Sequence, residues 1–171
     1  MPVRPPRGDV RVPPLIARRW IGALLLATLV SGCGSAARYR LPEDRLDRIR
    51  LLPPVAGTVS SGFGKRAGGR HDGIDILAPD GVEVRAASKG RVETSGSGKR
   101  GYGNVVILDH GYGITTLYGH LATIRVQSGE TVPAGAVIGT VGRSGNATTH
   151  HLHFELRVDG EAVDPVPYLN R

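Results

Sequence analysis

The sequence predicts an all-β domain, a sandwich or barrel of mainly antiparallel strands, behind an N-terminal apolar helix and a short linker helix. Three observations carry that expectation. The 171 residues include 25 Gly and 12 Pro with only 5% aromatics, which argues against a long helical bundle. From Val55 onward, runs of strand length alternate with Gly, Pro and polar turns. Beyond the linker no stretch carries a helical period. The length fits one domain with appendages, and composition breaks divide it into residues 1–32, 33–53 and 54–171.

The first segment reads as an address. Arg18 and Arg19 precede the apolar run Trp20–Val30, whose eleven residues fall short of the roughly 20 that span a bilayer. A charged n-region before a short apolar h-region fits a secretory signal peptide. The run ends in Val30-Ser31-Gly32-Cys33, which resembles the bacterial lipobox, where the Cys is acylated and becomes the new N-terminus. Cys33 is the sole cysteine, so no intramolecular disulfide can form, and acylation removes an exposed thiol from an oxidising compartment. Gly34 rather than Asp follows it, and the lipobox resemblance then implies the Gram-negative outer membrane, with the domain facing the periplasm.

Residues 33–53 read as a lipid-anchored linker. Pro42-Glu43-Asp44 can start a helix with Leu46, Ile49 and Leu52 on one face, and Pro53-Pro54 stops it. Such a helix is expected to pack weakly or not at all. Charge supports the division. The whole chain is +7, but residues 1–33 hold +4, residues 34–53 hold +2, and residues 54–170 balance eleven bases against eleven acids. A neutral domain argues against a nucleic-acid partner.

Within residues 54–171 the runs GTVSSGFG, GIDILAP, EVRAAS, GRVETSG, GNVVILDHG, GITTLYGHLA, AVIGTVG and HLHFELRVDG follow in turn. Strand alternation sends Val105 and Ile107 one way and Val106 and Leu108 the other, so several strands bury one face only.

All six His fall between residues 71 and 153, five of them in three motifs. These are His71-Asp72-Gly73-Ile74-Asp75, Leu117-Tyr118-Gly119-His120-Leu121, and His150-His151-Leu152-His153-Phe154-Glu155. On a strand, His151 and His153 share a face about 7 Å apart. Imidazole and carboxylate suit zinc, whose catalytic sites use three protein ligands and one open position. His71, Asp75 and His153 can provide that set, leaving His120 and His151 for proton work.

The surrounding words GRHDGIDILAP, GYGNVVILDHG, TTLYGHL, SGETVPAGAVIGTVGRSGNATTHHLHFEL and DGEAVDPVPYL resemble the lysostaphin-type (LytM-like) zinc metallopeptidases, which cut peptide bonds in bacterial peptidoglycan. The resemblance covers about Val55 to Leu169. It implies a peptidase fold like the duplicated hybrid motif, one Zn²⁺ per chain held by His71, Asp75 and His153, and catalytic His120 and His151. His151 is the first choice of general base and His120 of oxyanion donor, and the two roles are exchangeable. Arg66 and Asn104 are candidate substrate contacts, with turn or surface roles open beside them. His150 faces away from His151 toward the rim, and His110 reads as structural at a hairpin turn. A tyrosine that some relatives place near the first motif is missing from Phe63-Gly64-Lys65-Arg66.

The expected function is a membrane-anchored zinc endopeptidase cutting peptidoglycan stem-peptide crosslinks, which outer-membrane placement sets as direct links of D-Ala and diaminopimelate. Cell-division or wall-synthesis proteins are the protein partners that the resemblance admits. The alternative is a non-catalytic relative that binds and activates cell-wall amidases. A swinging-arm carrier, suggested by the hairpin rhythm of VQSGETVPAGAVIGTVG, fails because no Lys lies between Ser128 and Thr149. Processing at Cys33 removes Trp20, the sole tryptophan. Mature protein isolated from membranes is therefore expected to fluoresce from tyrosine alone, and indole emission from that material would refute cleavage.

Overall fold

The computed structural model describes Leu46 and residues 50–66, 68–98 and 101–169, all within the compact unit Tyr39–Arg171. The signal segment, Cys33 and most of the linker lie outside the described residues.

Among the described residues, Gly, Pro and polar turns cut the chain into twelve strands, as expected from its punctuation. They are β1 (Thr58–Ser61), β2 (Gly64–Arg66), β3 (Gly69–His71), β4 (Ile74–Leu77), β5 (Glu83–Arg85), β6 (Gly90–Ser97), β7 (Asn104–Asp109), β8 (Ile114–Ile124), β9 (Thr131–Val132), β10 (Val137–Val141), β11 (His151–Val158) and β12 (Glu161–Val163). A single 3₁₀ turn, Val166–Tyr168, closes the described chain. Antiparallel pairing gives a main sheet in the order β1-β4-β11-β8-β7-β6-β9, with β10 against β5 and β8, and β12 against β11. Strands β2 and β3 form a separate hairpin.

Period-two alternation builds the core. Along β11, Leu152, Phe154, Leu156 and Val158 are fully buried and pack with Ile74, Val106, Leu108, Tyr118 and Ile138. The opposite face of β11 carries His151, His153, Glu155 and Arg157. On β11 the core face is thus apolar and the other face holds polar chemistry.

Two local devices fit the chemistry to this frame. Gly73 runs so close to β11 that an added Cβ would overlap Phe154 O, which allows the first His motif to pass from β3 into β4. On β8, the register runs from Leu121 opposite Asn104 to Tyr118 opposite Val106, so β8 carries one extra residue there. His120 occupies this bulge with φ +62°, a left-handed conformation rare outside glycine. Strict alternation would place His120 on the core face with Tyr118. The bulge releases it and returns Leu121 to the core.

The linker reading needs correction at its C-terminal end. Leu46 and Leu51 are buried in the core cluster, Leu51 pairs in parallel with Leu169, and Leu52 N donates to Ala87 O at 2.8 Å. Apolar side chains that a loosely attached helix would leave in water are here withdrawn from it. Leu52 itself is exposed.

His110 has the structural role its turn position suggested. Its Nδ1–H donates to Lys89 O at 2.8 Å, and Nε2 meets Thr116 Oγ1 at 2.8 Å. Thr116 is bonded in turn to the Tyr118 hydroxyl, which accepts from Ala87 N. Burial pushes the His110 imidazole below its ordinary value, outweighing the Lys89 carbonyl and Asp109, which act the other way. Because the folded pKa is depressed, the unfolded chain binds more protons between that value and about 6.5. This contribution to stability is complete above about pH 6.5 and is lost as pH falls toward the folded pKa. In thermal melts between pH 7.5 and 5, His110→Asn is expected to be less stable than wild type at neutral pH, with the gap narrowing on acidification.

Candidate metal centre

Strand register brings the predicted ligands together. His153 on β11 pairs directly with Asp75 on β4, so their side chains share a face. His71, at the end of β3, enters from the hairpin with β2. The resulting triangle is tight. His71 Nε2 lies 3.1 Å from Asp75 Oδ1 and 3.1 Å from His153 Nδ1, and His153 Nδ1 lies 2.9 Å from Asp75 Oδ1. Both imidazoles are buried, and the Asp75 side chain is 17% exposed.

Hydrogen bonding on the far side of each ring sets which nitrogen faces the triangle. His153 Nε2 donates to Glu155 Oε1 at 2.9 Å, leaving Nδ1 with its lone pair inward. His71 Nδ1 donates to Gly62 O at 2.8 Å, leaving Nε2 inward. Arg66 Nη2 also contacts His71 Nδ1 and Ser61 Oγ, and it approaches Asp75 Oδ2 at 3.3 Å. A guanidinium only donates, so Arg66 and Gly62 favour opposite tautomers of His71. A cation within the triangle selects the tautomer bonded to Gly62.

Two imidazole lone pairs and a carboxylate oxygen at 2.9–3.1 Å repel one another unless positive charge lies among them. A proton on His153 relieves part of this. Burial opposes that proton, but the bonds to Asp75 and Glu155 outweigh burial and raise the His153 pKa. A divalent cation answers all three donors together. Tetrahedral bonds of about 2.0–2.1 Å imply ligand separations of about 3.3 Å, close to those observed. Burial alone would raise the Asp75 pKa, but the bond from His153 and the charges of His71, His153 and His151 hold it well below the carboxylate range. The donor set fits zinc in number, type and spacing.

The remaining two histidines stand beside this triangle. Their rings lie 4.7 Å apart between centroids, and His120 is 5.9 Å from His153. His120 Nδ1 donates to Ser144 O at 2.9 Å, and His151 Nδ1 donates to Thr149 O at 2.9 Å. Each therefore keeps Nε2 as its acceptor nitrogen. His151 Nε2 lies 3.8 Å from Asp75 Oδ1. Burial, aided by nearby His151 and His153, lowers the His120 pKa against the pull of Ser144 O and Asp75, so the ring is neutral at pH 7. The neutral His120 ring and the His151 ring beside it can accept or relay protons.

The other named residues separate clearly. Arg66 reaches the triangle. The Asn104 side chain instead bonds Leu121 O at 3.1 Å and Ala122 O at 3.4 Å, pinning β8 just beyond the His120 bulge. His150 is exposed at the rim, 3.8 Å from Asp80 Oδ1.

The motif reading missed the group behind His153. Glu155 is fully buried and bonded by His153, by the Tyr102 hydroxyl at 2.6 Å and by Arg157 Nε at 2.6 Å. These bonds outweigh burial and keep its carboxyl ionised below its ordinary value. The same surroundings push the Tyr102 phenol up to about 12, through burial first and Glu155 second. The sequence did carry a signal, since His153, Glu155 and Arg157 alternate on one strand face. Outer partners of this kind affect metal affinity by about 10- to 100-fold. Glu155→Ala is expected to weaken zinc binding in that range in competition with a chromophoric chelator, and unchanged affinity would remove Glu155 from the centre.

Comparison with known proteins agrees with this geometry. Residues 69–165 match Peptidase family M23. The chain is 42% identical over 124 residues to the DD-carboxypeptidase/endopeptidase Mpg of Neisseria meningitidis, covering 69% of this chain and 28% of that protein. It is 42% identical over 118 residues to outer membrane antigenic lipoprotein B of Haemophilus influenzae, covering 69% and 29%. It is 40% identical over 116 residues to the murein hydrolase activator NlpD of Escherichia coli, covering 68% and 30%. The chain thus spans less than a third of these relatives' length. The lysostaphin catalytic domain of Staphylococcus simulans superposes with a TM-score of 0.62 at 33% identity, covering 66% of this chain and 91% of that one. A zinc-containing peptidase of Vibrio cholerae gives 0.59 at 31% identity, covering 67% and 37%. The sheet, the motif order and these likenesses converge: the chain belongs to Peptidase family M23.

Proposed function

We propose that the chain is a zinc metalloendopeptidase that hydrolyses peptide crosslinks of peptidoglycan, carried at the outer membrane by a lipidated Cys33. The carrying observation is the convergence of His71 Nε2, Asp75 Oδ1 and His153 Nδ1 within 4.8 Å, with two further histidines beside them. His71, Asp75 and His153 would hold the ion. When bound, zinc supplies Lewis-acid polarisation of the scissile carbonyl and acidifies a water toward neutrality.

The chain's own groups supply the rest. Glu155 fixes the ring orientation of His153, and Gly62 O fixes that of His71. His151 takes a proton at Nε2 and returns it to the leaving amine, while His120 serves the developing oxyanion. His120 can donate from Nε2 only after receiving a proton there, because Ser144 O holds its Nδ1–H. That favours a proton passing between the two rings, and it keeps the two roles exchangeable. Arg66, beside Asp75, stands where a substrate carbonyl or carboxylate can reach it.

The second reading is an activator of cell-wall amidases, and the 40% identity to NlpD supports it. Relatives with each of these names match about two thirds of the chain at similar identity, so the discriminating observation is chemical. Purified protein is expected to bind one zinc and release muropeptides from sacculi, with chelator stopping release and added zinc restoring it. His153→Ala should lose both zinc and digestion. His120→Ala and His151→Ala should keep zinc while digestion falls about 100-fold or more, the scale of a lost general acid–base group. Wild-type protein that holds zinc yet digests no sacculi supports the activator instead.

A further inference from the structure

His120 holds a backbone conformation that a histidine does not favour, so neighbouring groups must keep it there. Two loops do so. From the first, Tyr102 O accepts from His120 N at 2.8 Å. From the second, Ser144 O accepts from His120 Nδ1 at 2.9 Å. The loops are joined to each other. Asn146 N donates to Gly101 O at 2.9 Å, and Asn104 N donates to Ser144 Oγ at 2.9 Å. Ser144 Oγ donates in turn to Leu121 O at 2.9 Å, the residue that follows His120. Gly103, with φ +65°, runs so close to the second loop that an added Cβ would overlap Ser144 Oγ.

The Tyr102 side chain runs the other way, toward a predicted metal ligand. Its hydroxyl donates to Glu155 Oε1 at 2.6 Å, the same oxygen that accepts from His153 Nε2 at 2.9 Å. Its ring lies 5.5 Å from the His153 ring between centroids. Gly119, paired with His153 across β8 and β11, leaves the room for that ring, since an added Cβ there would touch Tyr102 at 3.4 Å. A hydroxyl bonded to a buried carboxylate is charge-assisted and stronger than a neutral pair. Tyr102 thus grips both halves of the site, His153 through its side chain and the bulged His120 through its main chain.

We propose that Tyr102 is a positioning residue that couples the orientation of His153 to that of His120. The proposal rests on the hydrolase reading and adds to it a route from a metal ligand to a residue that handles protons. When His153 is held in its ligating orientation, Glu155 and the Tyr102 hydroxyl are held with it. The Tyr102 carbonyl then fixes the main chain of the His120 bulge.

The test is Tyr102→Phe in the whole chain, which removes the hydroxyl and keeps the ring. Hydrogen exchange of the His120 amide, zinc affinity and cleavage of purified crosslinked muropeptide dimers are measured. In wild-type protein, zinc is expected to slow exchange of the His120 amide about 10-fold. Tyr102→Phe should bind zinc about 3- to 10-fold more weakly and, once saturated, protect that amide at most about 2-fold. At saturating zinc its kcat should fall about 10-fold with KM unchanged, the mark of a lost transition-state contact. The same substitution made in His120→Ala should lower kcat no further, because both changes act through one group. Glu155→Gln, which removes the charge that the hydroxyl bonds, carries the exchange measurement if Tyr102→Phe does not fold. Equal zinc protection of the His120 amide with and without the hydroxyl, or additive losses in kcat, would overturn the coupling. Dimer cleavage without hydroxyl-dependent protection refutes the coupling alone. Hydroxyl-dependent protection by zinc without cleavage refutes the hydrolase reading and leaves the coupling standing. Wild-type protein that binds no zinc refutes both.

Discussion

The pairing of Asp75 with His153 across β4 and β11 is the constraint on which the rest of the site depends. It presses a carboxylate oxygen to within 2.9 Å of an imidazole nitrogen, in a place where His71 brings a second nitrogen. Without positive charge the three atoms repel, so register and metal affinity are coupled. A one-residue slip of β11 would turn His151, His153, Glu155 and Arg157 into the core and expose Leu152, Phe154 and Leu156. That alternative is strongly disfavoured because four fully buried apolar side chains hold β11 in place. The hydrophobic face thus sets the geometry of the polar one.

The fold and the three motifs were legible because they depend on local periodicity and on residue type. Val105 through Leu108 alternate in sequence and alternate in the sheet. His71, Asp75 and His153 have the donor chemistry of a zinc set, and the strand pairing assembled them. His120 was legible as chemistry but not as geometry. Simple alternation places it with Tyr118, and only the extra residue in β8 turns it toward the site. A bulge depends on how two strands pair, which one strand's sequence does not state. Glu155 was likewise hidden, because a lone carboxylate reads as solvated until Tyr102, 53 positions away, is seen bonded to it. The linker misled for a similar reason. Leu46 belongs to the weak helical stripe with Ile49 and Leu52, Leu51 lies outside it, and the core that receives Leu46 and Leu51 is assembled from distant strands.

Asn104 and Arg66 show how the same polar residue types take different parts. Both lie near the candidate centre. Asn104 is spent on the carbonyls of Leu121 and Ala122, where it stabilises the bulge that presents His120. Arg66 keeps a partly exposed side chain against Asp75 and so competes with any cation in the triangle for the same carboxylate. With a cation in the triangle the Ser61 hydroxyl would still accept from its guanidinium, whereas His71 Nδ1, donating to Gly62 O, would not.

The burial of Leu46 and Leu51 also bears on where such a site can act. On the proposed lipidation, the first buried side chain, Leu46, lies thirteen positions beyond Cys33, whereas the linker was read as ending twenty positions beyond it, at Pro53. A fully extended chain of thirteen residues reaches at most about 45 Å. The five Arg between residues 38 and 50 lie in or next to this short span, and they carry positive charge that the neutral domain lacks. Near anionic headgroups they would draw the tether in rather than extend it. Apolar side chains at the linker's end therefore limit how far the domain can stand from a lipidated Cys33.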